Sequence, residues 1–303
     1  MRDRERRRQI RRRRLIAAAA ILLVAGGVAA LLAAGGSKKK KHASGTSHVT
    51  TRARPPAHKP PRPALLHLPA QLPSRTLSVP ILMYHRIDIL RPTLPDLTRS
   101  LTVDPHDFAA QMRWLKSHGF HTLTQLQLYN AVFQGKSLPP KPVLITFDDG
   151  YRDVFGKASV VMHRLGLHAT EYVITDRISG PDASFLTWPL LHGLERRGIE
   201  IGSHTLAHVN LTALSDADAL HELVASRRVL ERRLGHPVQW FAYPYGKFDA
   251  RIVGLVRRAG YVLAVTTQGG SAQSAAAPLE LHRYEVLDST GVAGLASMLA
   301  SAG

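Results

Sequence analysis

Cysteine is absent from all 303 residues. The chain therefore needs no disulfide in an oxidising compartment, and thiolate nucleophiles and cysteine-ligated metals are excluded. No internal repeat is visible. Acidic residues are also few, 22 against 40 lysines and arginines, which leaves a net charge of +18. That excess is local: residues 1–62 hold 17 Lys/Arg against 2 Asp/Glu, so the other 241 residues carry only +3. The globular part has no basic, aromatic-interleaved stripe, and no nucleic-acid partner is expected.

What is present at the start is a membrane-type arrangement. Residues 1–14 form a basic leader with nine arginines. Leu15 to Gly36 is uncharged and long enough to cross a bilayer of roughly 30 Å. Arginines before such a span predict a single-pass signal-anchor, with the N-terminus inside and the rest outside the cell membrane. The alternative is a cleaved signal peptide ending near Ala33-Ala34-Gly35, which would leave a secreted protein. Residues 37–78, with Pro55, Pro56, Pro60, Pro61, Pro63, Pro69 and Pro73, read as a disordered, Pro-rich linker. The globular domain is then 79–303.

From Val79 onward, apolar runs alternate with helix-like segments. Val79–Tyr84, Lys141–Phe147, Ala169–Ile174, Ile199–Gly202, Gln239–Tyr243 and Tyr261–Val265 read as strands. Helices are expected from Asp104-Pro105 to Gly119, up to Leu165 with Gly166 as stop, from Thr187, from Ser215, and from Asp249 to Gly260. Such alternation predicts an α/β fold, a mainly parallel sheet closed into a distorted (β/α) barrel. In that fold chemistry gathers at the C-terminal ends of strands, where His85, Asp148, Asp149, His204 and Tyr245 fall.

Ile145-Thr-Phe-Asp148-Asp149-Gly150 ends a strand with two adjacent carboxylates. His204-Thr-Leu-Ala-His208 adds two imidazoles four positions apart. One carboxylate and two histidines can hold a divalent metal with positions left open. The second carboxylate is then free to act as a base toward water. The plain alternatives are an Asp-Asp-Gly turn and two surface histidines. Thr205 stands where a metalloprotease motif needs glutamate, so the base must come from elsewhere in the chain.

These two segments resemble the first two motifs of the polysaccharide deacetylases of the NodB type, the family-four carbohydrate esterases, and the likeness spans about residues 79–290. The resemblance implies that Asp149, His204 and His208 bind the metal, usually zinc, with cobalt, nickel or iron as substitutes. It implies Asp148 as general base. Phe241-Ala-Tyr-Pro244-Tyr245-Gly246 resembles the third motif, where the backbone N–H of Tyr245 would help hold the oxyanion. Met83-Tyr84-His85-Arg86 resembles a circularly permuted branch that includes the poly-N-acetylglucosamine deacetylases. There the early histidine is the acid, so His85 takes that role ahead of His282.

One departure is Ala242, where most members carry an arginine that orients the base. Arg283 is a candidate to replace it beside Asp148, with a surface salt bridge as the alternative reading. Trp188 and Tyr245 are candidates to stack on sugar rings, and Trp188 could equally be core. The expected reaction is removal of N-acetyl groups from an extracellular glycan polymer, poly-N-acetylglucosamine or peptidoglycan. An O-acetyl esterase would use the same site. The rival from another class is a non-catalytic, membrane-tethered glycan-binding module, for which Ala242 is the best support.

Overall fold

The computed structural model describes residues 65–300. The basic leader, the apolar segment 15–36 and most of the proposed linker lie outside the described residues. Among the described residues, no helix is long and apolar enough to cross a membrane.

Twelve strands are present in this part: β1 (Thr76–Ser78), β2 (Ile81–Tyr84), β3 (Arg86–Ile87), β4 (Thr102–Val103), β5 (His121–Thr122) and β6 (Pro142–Asp149). They are followed by β7 (Ala169–Val173), β8 (Ile199–Ser203), β9 (Trp240–Ala242), β10 (Leu263–Val265), β11 (Ala272–Ser274) and β12 (Tyr284–Glu285). The main sheet runs β10-β9-β8-β7-β6-β2-β12, with β5 added on β6, and its pairs are parallel. The sheet is curled. Its two edges meet on one late segment: Tyr284 and Glu285 pair with β2, while Leu281 bridges Val265 of β10. The Leu281 amide donates to Ala264 at 2.9 Å and the Thr266 amide donates back to Leu281 at 2.8 Å.

Alternation along β6 explains how one strand serves two environments. Val143, Ile145 and Phe147 join a cluster with Phe108, Met112 and Leu115 of the helix Pro105–Ser117. Leu144 joins the inner cluster with Ile81, Tyr172, Leu263, Val265 and Leu281. Both faces are dry, so the strand reads as a continuous apolar run, as expected of a parallel sheet covered on both sides. By the same alternation Thr146 and Asp148 share the inner face with Leu144. The interior is tight at Gly202, where an added Cβ would stand 2.4 Å from the Tyr172 ring.

The helices follow their caps. Asp104 accepts from the His106 amide before Pro105–Ser117, and Ser215 accepts from the Asp218 amide before Asp216–Leu234. Asp249 does the same for Ala250–Arg258, and Gly166 closes Ser159–Leu165 with φ 67°. These signals fix where the chain returns to the start of each strand.

One boundary is corrected. Residues 65–78, read from the sequence as the end of the linker, pack on the domain. Thr76–Ser78 pairs antiparallel with Ala272–Ser274, and Leu66 exchanges hydrogen bonds with the side-chain amide of Gln239, each at 2.7 Å. Leu66 and Leu68 give the physical reason, since both lie against apolar side chains of the inner cluster. Proline density concealed those two anchoring leucines.

Candidate active site

The last two residues of β6, the residue after β2, the residue after β8 and the turn after β9 converge at one end of the curled sheet. Asp148 is buried and faces Arg283 from the late segment beside β12. Arg283 donates through Nη1 to Oδ1 at 2.8 Å and through Nη2 to Oδ2 at 2.7 Å, a two-pronged pair. Its Nε donates to the Thr266 carbonyl at 2.8 Å and Nη1 also reaches Thr146 Oγ1 at 3.1 Å. The guanidinium is thus itself held on three sides. Burial raises the Asp148 carboxyl, but the Arg283 charge and its hydrogen bonds outweigh that and bring it down to about 2. Asp148 is a fixed, ionised carboxylate. The surface-salt-bridge alternative for Arg283 is overturned, because neither partner is exposed to solvent.

Asp149 takes a left-handed backbone, φ 80°, so its side chain leaves the β6 alternation and turns toward the two histidines. Its Oδ1 lies 3.6 Å from His204 Nε2 and 3.5 Å from His208 Nε2. The ligand atoms of all three lie within 4.8 Å of one another. Burial and the neighbouring Asp148 charge push the Asp149 carboxyl up to about 7.

The histidines are prepared as neutral ligands. Burial drives the His204 imidazole down to about 3 and lowers His208 as well. His204 Nδ1 lies 2.8 Å from the Ala242 carbonyl, an acceptor that puts the proton on Nδ1 and leaves the Nε2 lone pair facing Asp149. His208 sits at φ 57°, with its amide bonded to Thr205 Oγ1 at 2.9 Å. The donor set, one carboxylate and two neutral imidazoles with Nε2 converging, fits a divalent cation and leaves coordination positions free.

His85 follows β2, and burial lowers its imidazole, opposed by the Asp148 charge. Its Nδ1 is buried without a hydrogen-bond partner. Tyr245 lies beyond β9 at φ 59°, 59% exposed, with its ring 4.5 Å from that of His208. Asp149, Thr205, His208 and Tyr245 are all non-glycine residues with positive φ, a conformation that costs about 1–2 kcal/mol each. Such strain concentrated around one cluster is a mark of a functional site.

The structure therefore brings together His85, Asp148, Asp149, His204, His208, Tyr245 and Arg283. Trp188 is not among them. It opens the helix Trp188–Arg196, packs on the sheet–helix cluster and lies under the Arg233 guanidinium at 5.3 Å. The ring is half-buried against that cluster, and its stacking on a sugar stays a proposal. His282 also stays apart, its amide bonded to Gln273. Three residues near the site went unread in the sequence. Tyr151 stands two positions after Asp149, and burial and the Asp149 charge push its phenol up to about 12. Glu171, fully buried, accepts from the Gly150 amide at 3.0 Å, and burial raises its carboxyl far above the usual range. A glutamate inside the apolar run Ala169–Ile174 was the available signal for it. Arg177 stands at the rim.

Residues 135–264 match the family model described as polysaccharide deacetylase. The Bacillus subtilis (strain 168) protein YxkH, which carries the polysaccharide deacetylase name, is 32% identical over 218 residues, 72% of this chain and 74% of its own. A poly-beta-1,6-N-acetyl-D-glucosamine N-deacetylase of Staphylococcus aureus is 24% identical over 174 residues, covering 54% of this chain and 60% of that one. Among solved structures, the Streptococcus pyogenes deacetylase PplD in complex with acetate superposes with a TM-score of 0.69 at 28% identity. That match covers 75% of this chain and 99% of PplD. With a third of the residues shared over most of both YxkH and this chain, the protein belongs to the polysaccharide deacetylase family.

Proposed function

We propose that the protein is a metal-dependent hydrolase that removes N-acetyl groups from an amino-sugar polymer outside the membrane, poly-N-acetylglucosamine or peptidoglycan, and releases acetate. The observation that carries this reading is the Asp148–Arg283 pair standing beside the Asp149, His204 and His208 trio. A binding module needs no fixed, ionised carboxylate next to a ligand set with open positions. Ala242 had been the best support for such a module. Arg283 reaches Asp148 from the segment just before β12 and supplies the orienting cation that Ala242 lacks.

When bound at Asp149, His204 and His208, a divalent cation, zinc in the first instance, supplies Lewis-acid polarisation of the acetyl carbonyl and acidifies water. Asp148, ionised throughout the neutral range, receives the proton as the water oxygen forms its bond to the acetyl carbon. A carboxyl held near 2 is a weak base, so its value lies in orientation and constant charge. The Tyr245 N–H donates to the oxyanion, a main-chain dipole that needs no reorganisation. His85 protonates the nitrogen as the carbon–nitrogen bond breaks, giving acetate and a free amino sugar. Tyr245 also offers an exposed ring for the sugar beside His208.

The extracellular placement rests on the sequence of residues 1–36 and the arginine bias across it. Support for a poly-N-acetylglucosamine substrate comes from His85 after the first main-sheet strand and from the Staphylococcus aureus relative. The test is acetate release by zinc- or cobalt-loaded protein from N-acetylglucosamine oligomers linked β-1,4 and β-1,6. Release that vanishes in Asp148→Asn supports the reading. No release from any acetylated amino-sugar polymer, with metal bound and the fold intact, overturns it.

A further inference from the structure

One wall beside Asp149 has no part in the mechanism above. It is a two-segment ribbon. The Leu186 amide donates to Gly150 at 2.9 Å and the Arg152 amide to Ser184 at 2.8 Å, while Tyr151 and Phe185 form an antiparallel bridge. The Tyr151 and Phe185 rings stack with centroids 5.0 Å apart and planes 20° apart. A guanidinium lies over each ring, Arg86 at 4.7 Å from Tyr151 and Arg177 at 5.0 Å from Phe185. Tyr151 follows Asp149 by two positions, so this ladder of four side chains runs past the candidate metal centre from Arg86 to Arg177.

The two cations differ in kind. Arg86 is half-buried and neutralised, 3.1 Å from Asp153 and 3.7 Å from Asp88. Arg177 is exposed, and among the described residues no carboxylate lies within ion-pairing distance of it. Of its acidic neighbours, Asp182 is engaged with the Ser184 amide at 2.9 Å and Asp176 is exposed. Its segment is tied to the loop that carries the two histidines, since the Thr175 amide donates to the Thr205 carbonyl at 3.2 Å and the Asp176 amide to the Leu206 carbonyl at 2.9 Å, which puts Arg177 at the rim of the cluster.

Its backbone is pinned. The Arg177 amide donates to Ile174 at 3.0 Å, its carbonyl accepts from Gly180 at 3.1 Å, and Ser179 bonds to Leu186 at 3.0 Å. A guanidinium held over an aromatic ring and free of any ion pair has N–H donors available to a planar anion. Tyr245, the exposed aromatic platform, stands against His208, so the two features offer separate holds to a chain passing the metal centre.

We propose that Arg177 is a substrate-binding residue that receives a carboxylate or phosphate carried by the glycan on a sugar next to the one losing its acetyl group. The inference narrows the proposed substrates to an anionic N-acetylated glycan and counts against the neutral poly-N-acetylglucosamine named above. This inference rests on the deacetylase reading. The anion can be part of an acidic sugar or of a phosphate substituent, and the fork of Arg177 serves either.

The experiment compares the full-length, zinc-loaded protein with its Arg177→Gln variant on three oligomers of equal length. One is neutral N-acetylglucosamine, one alternates with a carboxylate-bearing sugar, and one alternates with a phosphorylated sugar. The wild type is expected to favour an anionic oligomer about tenfold in kcat/KM, mostly through KM, as one exposed charge-assisted contact provides. Added salt should erode that preference. In Arg177→Gln the ratio of anionic to neutral kcat/KM should fall to about one. A wild-type ratio of one, or a ratio unchanged by Arg177→Gln, overturns the inference. Binding isotherms with the same oligomers separate the two levels of the reading. Preferential binding of an anionic oligomer that Arg177→Gln abolishes sustains the role of Arg177 even if no acetate appears, which would then count against the deacetylase alone. Equal binding of all three oligomers overturns it whatever the catalytic result.

Discussion

Arg283 and Asp148, separated by 135 positions in sequence, meet in a buried, two-pronged ion pair. The fork of the guanidinium matches both carboxylate oxygens, and Thr266 and Thr146 accept two of its other N–H groups. A lysine supplies the charge without the fork. Arg283→Lys should therefore lower turnover about tenfold to a hundredfold with the fold retained, measured as acetate release per folded molecule. Unchanged turnover in the folded fraction would reduce Arg283 to a structural residue.

The same pair sets a pH dependence with a definite sign. The Asp148 carboxyl sits at about 2 in the folded protein, against about 3.9 in an unfolded chain. A depressed carboxylate contributes stability that is fully present above the unfolded value and lost as pH falls through the folded one. The contribution is about 2–3 kcal/mol at neutral pH. Comparing urea midpoints of the wild type and Arg283→Met between pH 2 and pH 7 should show the gap shrinking below about pH 4. A gap that is constant with pH would mean that Asp148 does not owe its ionisation to Arg283.

Asp148→Asn should abolish most acetate release, a loss on the order of a hundredfold to ten-thousandfold, while zinc affinity stays close to that of the wild type. His208→Ala should do the reverse in part, weakening zinc binding directly. Thermal shift on adding zinc reads the difference. At a hundredfold excess over Kd the metal stabilises by about 2.7 kcal/mol, and that shift should persist in Asp148→Asn and disappear in His208→Ala. Equal shifts in both variants would remove His208 from the ligand set.

Gly202 gives a stability prediction independent of catalysis. An alanine there places a methyl group 2.4 Å from the Tyr172 ring and 3.1 Å from the Trp240 carbonyl, inside the curl of the sheet. Overpacking of this kind costs about 1–3 kcal/mol, so Gly202→Ala should lower the melting temperature by several degrees. An unchanged melting point would show that the interior yields at this position.

Tyr245→Gly should separate strain from binding. Its backbone at φ 59° suits glycine, which removes a cost of about 1–2 kcal/mol, so the variant should melt higher. Loss of the exposed ring should at the same time raise KM for glycan oligomers. A lower melting point would show that the ring contact with His208 outweighs the strain.

Much of this arrangement could be read in the sequence. Caps at Asp104, Ser215 and Asp249 and the stop at Gly166 are local chemistry, and local chemistry survives without knowledge of the fold. Asp149, His204 and His208 were legible because they lie next to apolar strands and because together they offer a ligand set that none offers alone. The residues that escaped, Tyr151, Glu171 and Arg177, act through contacts across strands that no spacing encodes. Trp188 shows the converse ambiguity: an aromatic at a helix start looks the same in sequence whether it faces a cleft or a core. The leucines of 65–68 failed for a related reason, since their partners, Gln239 and the sheet end, lie about 170 positions away.

The late segment that joins both edges of the sheet also carries Arg283, which ties function to the closing of the sheet. A molecule whose residues 281–285 have not yet docked lacks the cation that keeps Asp148 ionised, and its inner face is still open between β2 and β10. Emergence of activity should therefore lag behind formation of the central strands during folding.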